Sequence, residues 1–198
     1  MEEIIRQGQN TNLTKLNLNY DGYKDGEEGV ENYLKIVEEK IGFIPNVLAA
    51  FAKFPKQFEG FTKLYNSLML GESGLTKLER EMIAVTVSSE NHCFYCLVAH
   101  GSAVRELSND PQLGERIAAN FKSAELPRKQ EELLDFARKL TRDPSEIGED
   151  QRKKLKDVGY TDRDIWDISA IVGLFNMTNR LASATEMEPN SNYHDIAR

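Results

Sequence analysis

The sequence predicts an all-α fold, and three observations predict it. Apolar residues recur three and four apart along most of the chain, capping residues precede those runs, and no convincing alternating strand pattern appears. Composition places the chain among ordinary globular proteins, with 198 residues, 40% of them hydrophobic and 29% charged. Lys and Arg number 25 against 32 Asp and Glu, a formal charge of −7. Phosphate backbones find no general attraction there, so nucleic acid is not an expected partner.

Each element follows from its own punctuation. Residues 1–27 are polar, rich in Asn, Gly and Tyr, and read as an N-terminal arm able to drape over a neighbouring surface. Residues 28–198 read as a single helical domain whose chemistry sits within about 45–125. A first helix starts near Glu28, with Tyr33, Ile36, Val37 and Ile41 on one face and Gly42 as its stop. Ile44-Pro45-Asn46 interrupts, a short apolar segment covers Val47 to Phe51, and Pro55 opens a helix that ends at Gly71. Its stripe of Phe58, Phe61, Tyr65 and Leu68 reads as core. Thr76 and Glu79 make a capping-box signature for a helix from Lys77 to about Ser88. Val85-Thr86-Val87 would suit a buried strand, but the cap and the charged first turn favour a buried helix.

Ser88 to Asn91 breaks that run and offers N-caps for a helix from about His92 to Leu107, which places the two cysteines in a first turn. A short segment follows around Leu113 to Phe121. Pro127 then starts a helix with Leu133, Phe136, Ala137 and Leu140 on one face, ending near Asp143-Pro144. A polar helix from about Gly148 to Val158 leads to Thr161, the cap of a long final helix reaching about Ala184. Leu75-Thr76 and Tyr160-Thr161 open similar runs, with Ile83 matching Ile168 and Val87 matching Val172. This is either a degenerate internal repeat or the ordinary likeness of two buried, capped helices. In that register Cys93, Cys96 and His100 fall on Thr178, Leu181 and Thr185, so only the first copy could do thiol chemistry.

Met1-Glu2-Glu3-Ile4-Ile5-Arg6 lacks the basic and apolar regions of a secretory signal, and the weakly charged stretch Ile165 to Asn179 is short for a membrane helix and contains Asp167. A soluble, cytoplasmic protein with no membrane partner is expected. In a reducing cytosol the pair in Cys93-Phe94-Tyr95-Cys96 points to transient redox chemistry or half of a metal site. Cys93, Cys96 and His100 stand at i, i+3 and i+7, one helical face. A helix N-terminus and a nearby imidazolium both favour the thiolate, the form that attacks peroxides and disulfides. One thiol can attack and the other resolve the resulting sulfenic acid. Glu81 would lie about 18 Å from Cys93 on a continuous helix, so it can join them only if the break at Ser88 to Asn91 is a bend. Glu81 is otherwise a solvated first-turn residue.

The pattern Glu81-x11-Cys93-x2-Cys96-x3-His100 resembles the active-site signature of the AhpD-like alkylhydroperoxidases, within the carboxymuconolactone decarboxylase superfamily. Glu79-Arg80-Glu81-Met82-Ile83-Ala84 and Ala99-His100-Gly101 follow the family manner. Ile44-Pro45-Asn46-Val47 and Phe175-Asn176-Met177-Thr178-Asn179-Arg180 are similar to its peroxidase-related subgroup, so the resemblance covers roughly residues 30–190. It implies an all-helical, homo-oligomeric peroxidase that reduces alkyl hydroperoxides and is itself reduced by a thiol or lipoyl-type protein. Cys96 would be the peroxidatic thiol, Cys93 the resolving partner, and His100 with Glu81 a proton relay. No cofactor is implied. Tyr95 stands where better characterised members carry His, and is the candidate substrate contact.

Three rivals remain. A zinc site built on His92, Cys93, Cys96 and His100 would want ligands from a second segment, where only His194 is left, so no metal is expected. Relatives that decarboxylate a lactone use the fold without a cysteine pair. A disulfide oxidoreductase or redox-sensing scaffold would keep the thiols and not turn over peroxide. His92 and His194 read as surface residues, Trp166 as core or interface, and Asn176, Asn179 and Arg180 as polar insertions lining either the site or an oligomer contact.

Overall fold

The computed structural model describes residues 13–16, 18 and 27–198, and every regular element among them is helical. In chain order these are α1 (Glu27–Ile41), α2 (Asn46–Phe51), α3 (Pro55–Tyr65), α4 (Lys77–Glu90), α5 (Phe94–Ser108), α6 (Leu113–Asn120), α7 (Arg128–Arg142), α8 (Glu149–Asp157) and α9 (Asp162–Ala184). α3 runs on through a π-helical turn at Asn66–Leu70, and single 3₁₀ turns follow α6, α7 and α9.

α4 is the axis of the molecule, packed against α5, α6, α7 and α9. Met82, Ile83, Ala84, Val85 and Val87 are fully buried, because a helix surrounded on all sides has no solvent face to keep polar. The β-branched residues cost a few tenths of a kcal/mol each in helix propensity, whereas burying each such side chain contributes about 1.5–3 kcal/mol. Packing therefore decides for helix. Both long central helices begin with the expected caps. Thr76 Oγ1 accepts from the Glu79 N–H at 3.1 Å while Glu79 Oε2 accepts from the Thr76 N–H at 2.8 Å. Thr161 and Asp164 repeat this reciprocal pair at the head of α9, at 3.2 and 2.8 Å.

The two capped ends are braced to each other. The Tyr160 hydroxyl donates to Glu79 Oε1 at 2.6 Å, and the Ser73 hydroxyl donates to Asp167 Oδ2 at 2.7 Å. Gly74 is required at this meeting point, since a Cβ there would strike the Asp164 carboxylate. Arg80, buried on α4, donates from Nε and Nη2 to Leu75 O at 3.2 and 3.1 Å and from Nη1 to Leu68 O at 3.1 Å. Those bonds satisfy carbonyls that the π turn and the following loop leave without helical partners.

Three sequence expectations need correction. The buried face of α1 is Val30 and Leu34, with Tyr33 and Val37 beside them, while Ile36 and Ile41 stay 50% and 48% exposed. Among the described residues α1 packs chiefly against α3 and its π turn, where Tyr33 meets Phe58 edge-on at 5.4 Å and its hydroxyl donates to Asn66 Oδ1 at 3.0 Å, so one narrow stripe suffices. Trp166 is 72% exposed, so of its two readings, core or interface, the core one falls, because α9 turns that side outward from α4. α5 begins at Phe94, two residues later than expected. The proposed N-terminal arm lies largely outside the described residues. Its described part runs beside the C-terminal segment, with the Lys15 N–H donating to Thr185 O at 2.9 Å.

Candidate active site

The bend required by Glu81 exists, and its hydrogen bonds explain it. After α4 the Cys93 N–H donates to Ser88 O at 3.0 Å and the His92 N–H to Ser89 O at 3.1 Å, the two bonds of a Schellman closure. His92 supplies the left-handed residue of that closure, with φ +52°. α5 then packs back along α4. Cys93 becomes the N-cap residue of α5 instead of a first-turn residue, Cys96 lies in the first turn, and His92 lies before the helix, exposed.

The reversal brings Glu81 and His100 together. His100 Nδ1 donates to Glu81 Oε2 at 2.7 Å, with side chains 14% and 13% exposed. A carboxylate can only accept, so this bond leaves Nε2 as the nitrogen able to take a proton. Phe175 on α9 packs edge-on against the imidazole, ring centroids 4.5 Å apart, and fixes its plane.

Cys93 and Cys96 are free thiols, 1% and 3% exposed. A hydrogen bond joins the two sulfurs. The Cys96 thiol donates to Cys93, whose sulfur also meets the Cys96 backbone N–H, the Ser183 hydroxyl and the positive potential of His100. The Cys93 thiol is lowered to about 6, against the resistance of burial. Holding that anion and being buried itself keep Cys96 protonated well above the ordinary thiol range, although Asn179 and Ser88 beside its sulfur pull the other way. The first negative charge of the pair therefore rests on Cys93, the residue with the helix N-terminus behind it.

The thiols sit in a small apolar cluster of their own, with Ala50, Ala99, Ala182 and Met187. Tyr95 is 4% exposed, and its hydroxyl accepts from the Val47 N–H at 3.0 Å, bracing α5 against α2. Burial and the nearby Tyr193 push that hydroxyl well up from its ordinary range. Tyr193 comes from the C-terminal 3₁₀ turn, which Arg105 pins by donating to Tyr193 O at 2.8 Å and Ile196 O at 3.0 Å. Asn190 Nδ2 donates to Ile44 O at 2.9 Å and its Oδ1 accepts from the Asn46 N–H at 2.8 Å. Ile44-Pro45-Asn46-Val47 is thus the seat of the C-terminal segment. Ser88, Ser183 and Tyr193 escaped the sequence reading, being remote in the chain or ordinary in type. His194 is exposed, as expected. Among the described residues no three His, Cys, Asp or Glu side chains converge as a metal site requires.

Residues 55–127 match the carboxymuconolactone decarboxylase family. No curated protein matches the chain significantly. Among solved structures, an uncharacterized peroxidase-related protein from Silicibacter sp. TM1040 is 52% identical, with TM-score 0.90 over 96% of this chain and 98% of that one. A second such protein, from Ralstonia eutropha JMP134 and described as an alkylhydroperoxidase AhpD core, is 34% identical, with TM-score 0.87 over 94% and 97% of the two chains. The debrominase Bmp8, solved with 2,3,4-tribromopyrrole, shares the fold at TM-score 0.73 and 18% identity, over 94% of this chain and 96% of its own. By its identity and coverage with the first two, and by the helical site just described, the chain belongs to the AhpD-like proteins of the carboxymuconolactone decarboxylase superfamily.

Proposed function

We propose that the protein is a thiol-dependent peroxidase that reduces alkyl hydroperoxides through a Cys93/Cys96 dithiol–disulfide cycle, with Glu81 and His100 as its proton relay. One observation carries this reading. Two free, buried cysteines lie at a helix N-terminus beside a carboxylate–histidine pair, with the Cys93 thiol lowered to about 6. The peroxidase-related proteins of Silicibacter and Ralstonia support it by likeness.

The chemistry balances over three steps. A thiolate attacks the terminal peroxide oxygen, the O–O bond breaks, and the alkoxide leaves as alcohol with a proton passed from the His100–Glu81 pair. The second thiol attacks the sulfenic sulfur, the disulfide forms and water departs. An external dithiol, a thiol or lipoyl-type protein, then reduces the disulfide by two exchanges and leaves oxidised. This cycle belongs in a reducing compartment such as the cytoplasm. Tyr95, buried among the sulfurs' apolar neighbours, is the aromatic group that would contact substrate. A homo-oligomer would cover apolar residues that stand exposed in the single chain, Leu70 and Phe94 among them.

The family resemblance gives attack to Cys96 and resolution to Cys93. The resting charge favours a second reading with that order reversed. Rapid mixing of reduced protein with an alkyl hydroperoxide, followed by mass spectrometry with a sulfenate trap, tests both. Loss of both thiols, and a fall of about a thousandfold in turnover when either cysteine becomes Ser, is the expected result. The single-cysteine variant that still yields one sulfenate identifies the attacking sulfur. Thiols inert to peroxide yet quick to exchange with a lipoyl disulfide would replace the reading by a disulfide oxidoreductase or redox-sensing scaffold. A lactone decarboxylase would be indifferent to both Ser substitutions.

A further inference from the structure

The polar insertions Asn176, Asn179 and Arg180 on α9 belong to one hydrogen-bond chain, and that chain has a direction. Arg180, which can only donate, gives Nη1–H bonds to Asn176 O and Oδ1 at 2.8 and 2.7 Å. Asn176 Oδ1 also accepts from Asn91 Nδ2 at 3.1 Å, so the Asn91 amide faces α9 with its nitrogen. The same Nδ2 donates to Asn179 Oδ1 at 3.0 Å. Asn179 is thereby forced to point its own Nδ2 the other way, where it donates to Ser88 Oγ at 3.1 Å. At the far end the single hydroxyl proton of Ser88 goes to Ala84 O at 2.7 Å, a group that can only accept. A guanidinium at one end and a carbonyl at the other leave no freedom to flip any amide between them.

Asn179 and Ser88 are both 0% exposed, and both lie against the sulfur of Cys96. The Ser88 proton is already committed to Ala84. The amide nitrogen of Asn179 has two N–H groups and only one is used by Ser88. A buried amide N–H without an acceptor is costly, and the Cys96 sulfur is its available acceptor. Sulfur accepts weakly as a thiol and strongly as a thiolate, so this bond strengthens only when charge arrives.

We propose that the Asn179 amide is a catalytic hydrogen-bond donor to the Cys96 sulfur, holding negative charge there during reaction, and that Asn91 is the positioning residue that aims it. This rests on the dithiol reading above and deepens it. The charge appears when Cys96 gives up its proton to attack. It appears again when an external dithiol attacks Cys93 of the disulfide: the S–S bond breaks and its electron pair stays on Cys96. The donor's second thiol then supplies the proton that neutralises Cys96, and its sulfur displaces Cys93 as the donor closes to its own disulfide. Asn179 makes Cys96 a better leaving group in that step.

The test is titration of Cys96 alone, by the pH dependence of iodoacetamide alkylation in a Cys93→Ser background that removes the coupling between sulfurs. Asn179→Ala raises the Cys96 pKa by about one unit, a tenfold loss of thiolate at neutral pH, the effect of removing one hydrogen bond to a charged group. Asn179→Asp, nearly the same shape but anionic, raises it further. Asn91→Ala, at the half-buried end of α4, raises it less while leaving Asn179 in place. Should Asn179→Ala fail to fold, the other two decide. A Cys96 pKa unmoved in the folded Asn179 and Asn91 variants overturns the proposal. The measurement uses no peroxide, so a shifted pKa in a protein that ignores hydroperoxides would retain the donor and remove only the peroxidase reading.

Discussion

α4 with α5 and α9 alone are two versions of one sequence pattern, and they part company at a single turn. Both begin with a reciprocal cap, Thr76 with Glu79 and Thr161 with Asp164. Both bury the matched aliphatics, Ile83 with Ile168 and Val87 with Val172. α4 stops after 14 residues in a Schellman closure and the chain reverses, whereas α9 continues unbroken for 23 residues. The reversal creates a second helix N-terminus at Cys93 and folds Glu81 onto His100. The position matching Glu81 in the unbroken helix is Trp166, 72% exposed with nothing to fold against. Caps and apolar spacing make the helices. The break makes the site, and α9 serves it from outside with Phe175, Asn179 and Ser183.

Substitution at the matched pair Glu81 and Trp166 should therefore give the widest contrast. Glu81→Gln keeps the shape but removes the charge that holds the His100 proton at 2.7 Å, and the expected fall in the rate of peroxide attack is about a hundredfold. Trp166→Ala leaves that rate unchanged and moves stability by no more than about 0.5 kcal/mol, as at most exposed positions. Stopped-flow kinetics and urea unfolding read the two effects. A Glu81→Gln protein as fast as the parent would remove the relay.

A smaller effect comes from moving the thiols to the unbroken helix. In the native protein alkylation should rise tenfold per pH unit up to pH about 6 and then level, because the Cys93 thiolate forms there and deprotonation, not protonation, gives the nucleophile. Thr178→Cys with Leu181→Cys, in a protein whose own two cysteines are Ser, puts the pair inside a helix whose backbone N–H groups are already bonded. Its thiols should titrate at about 8.5 or above, leaving about thirtyfold less thiolate at pH 7. A grafted pair titrating near 6 would show that the hydrogen bond between the two sulfurs suffices to lower one of them without a helix N-terminus.

Helices were legible in the sequence because their signals are local: Thr76 and Thr161 cap, Pro55 and Pro127 open, Gly71 stops. The thiol–histidine face and its need for a bend were legible for the same reason, since three residues on one face is a statement about neighbours. What was hidden depends on packing at a distance. Ile36 and Ile41 are as apolar as Leu34, and only the placement of α3 decides which of them is buried. Asn179 donates to Ser88 because α9 packs against α4 there, and nothing near either residue announces the meeting. Its one trace is polar residues set in the apolar run of a long helix, a signal that names the residues without saying what they face.

The smallest effect concerns the break itself. His92 holds φ +52° at the left-handed position of the closure, a conformation that costs a residue with a Cβ roughly 1 kcal/mol relative to Gly. His92→Gly should stabilise the protein by up to about 1 kcal/mol, less what Gly adds to the entropy of the unfolded chain, and leave the alkylation profile of Cys93 where it was. His92 is exposed and its side chain lies outside the Glu81–His100 bond, so the gain is purely conformational. Loss of stability would mean that the imidazole holds the turn by a contact, and a shifted thiol profile would mean that it also tunes the sulfur. Unchanged thiols in a stabler protein would confine the role of His92 to the geometry of the turn, where the chain after α4 parts in backbone from the continuous α9.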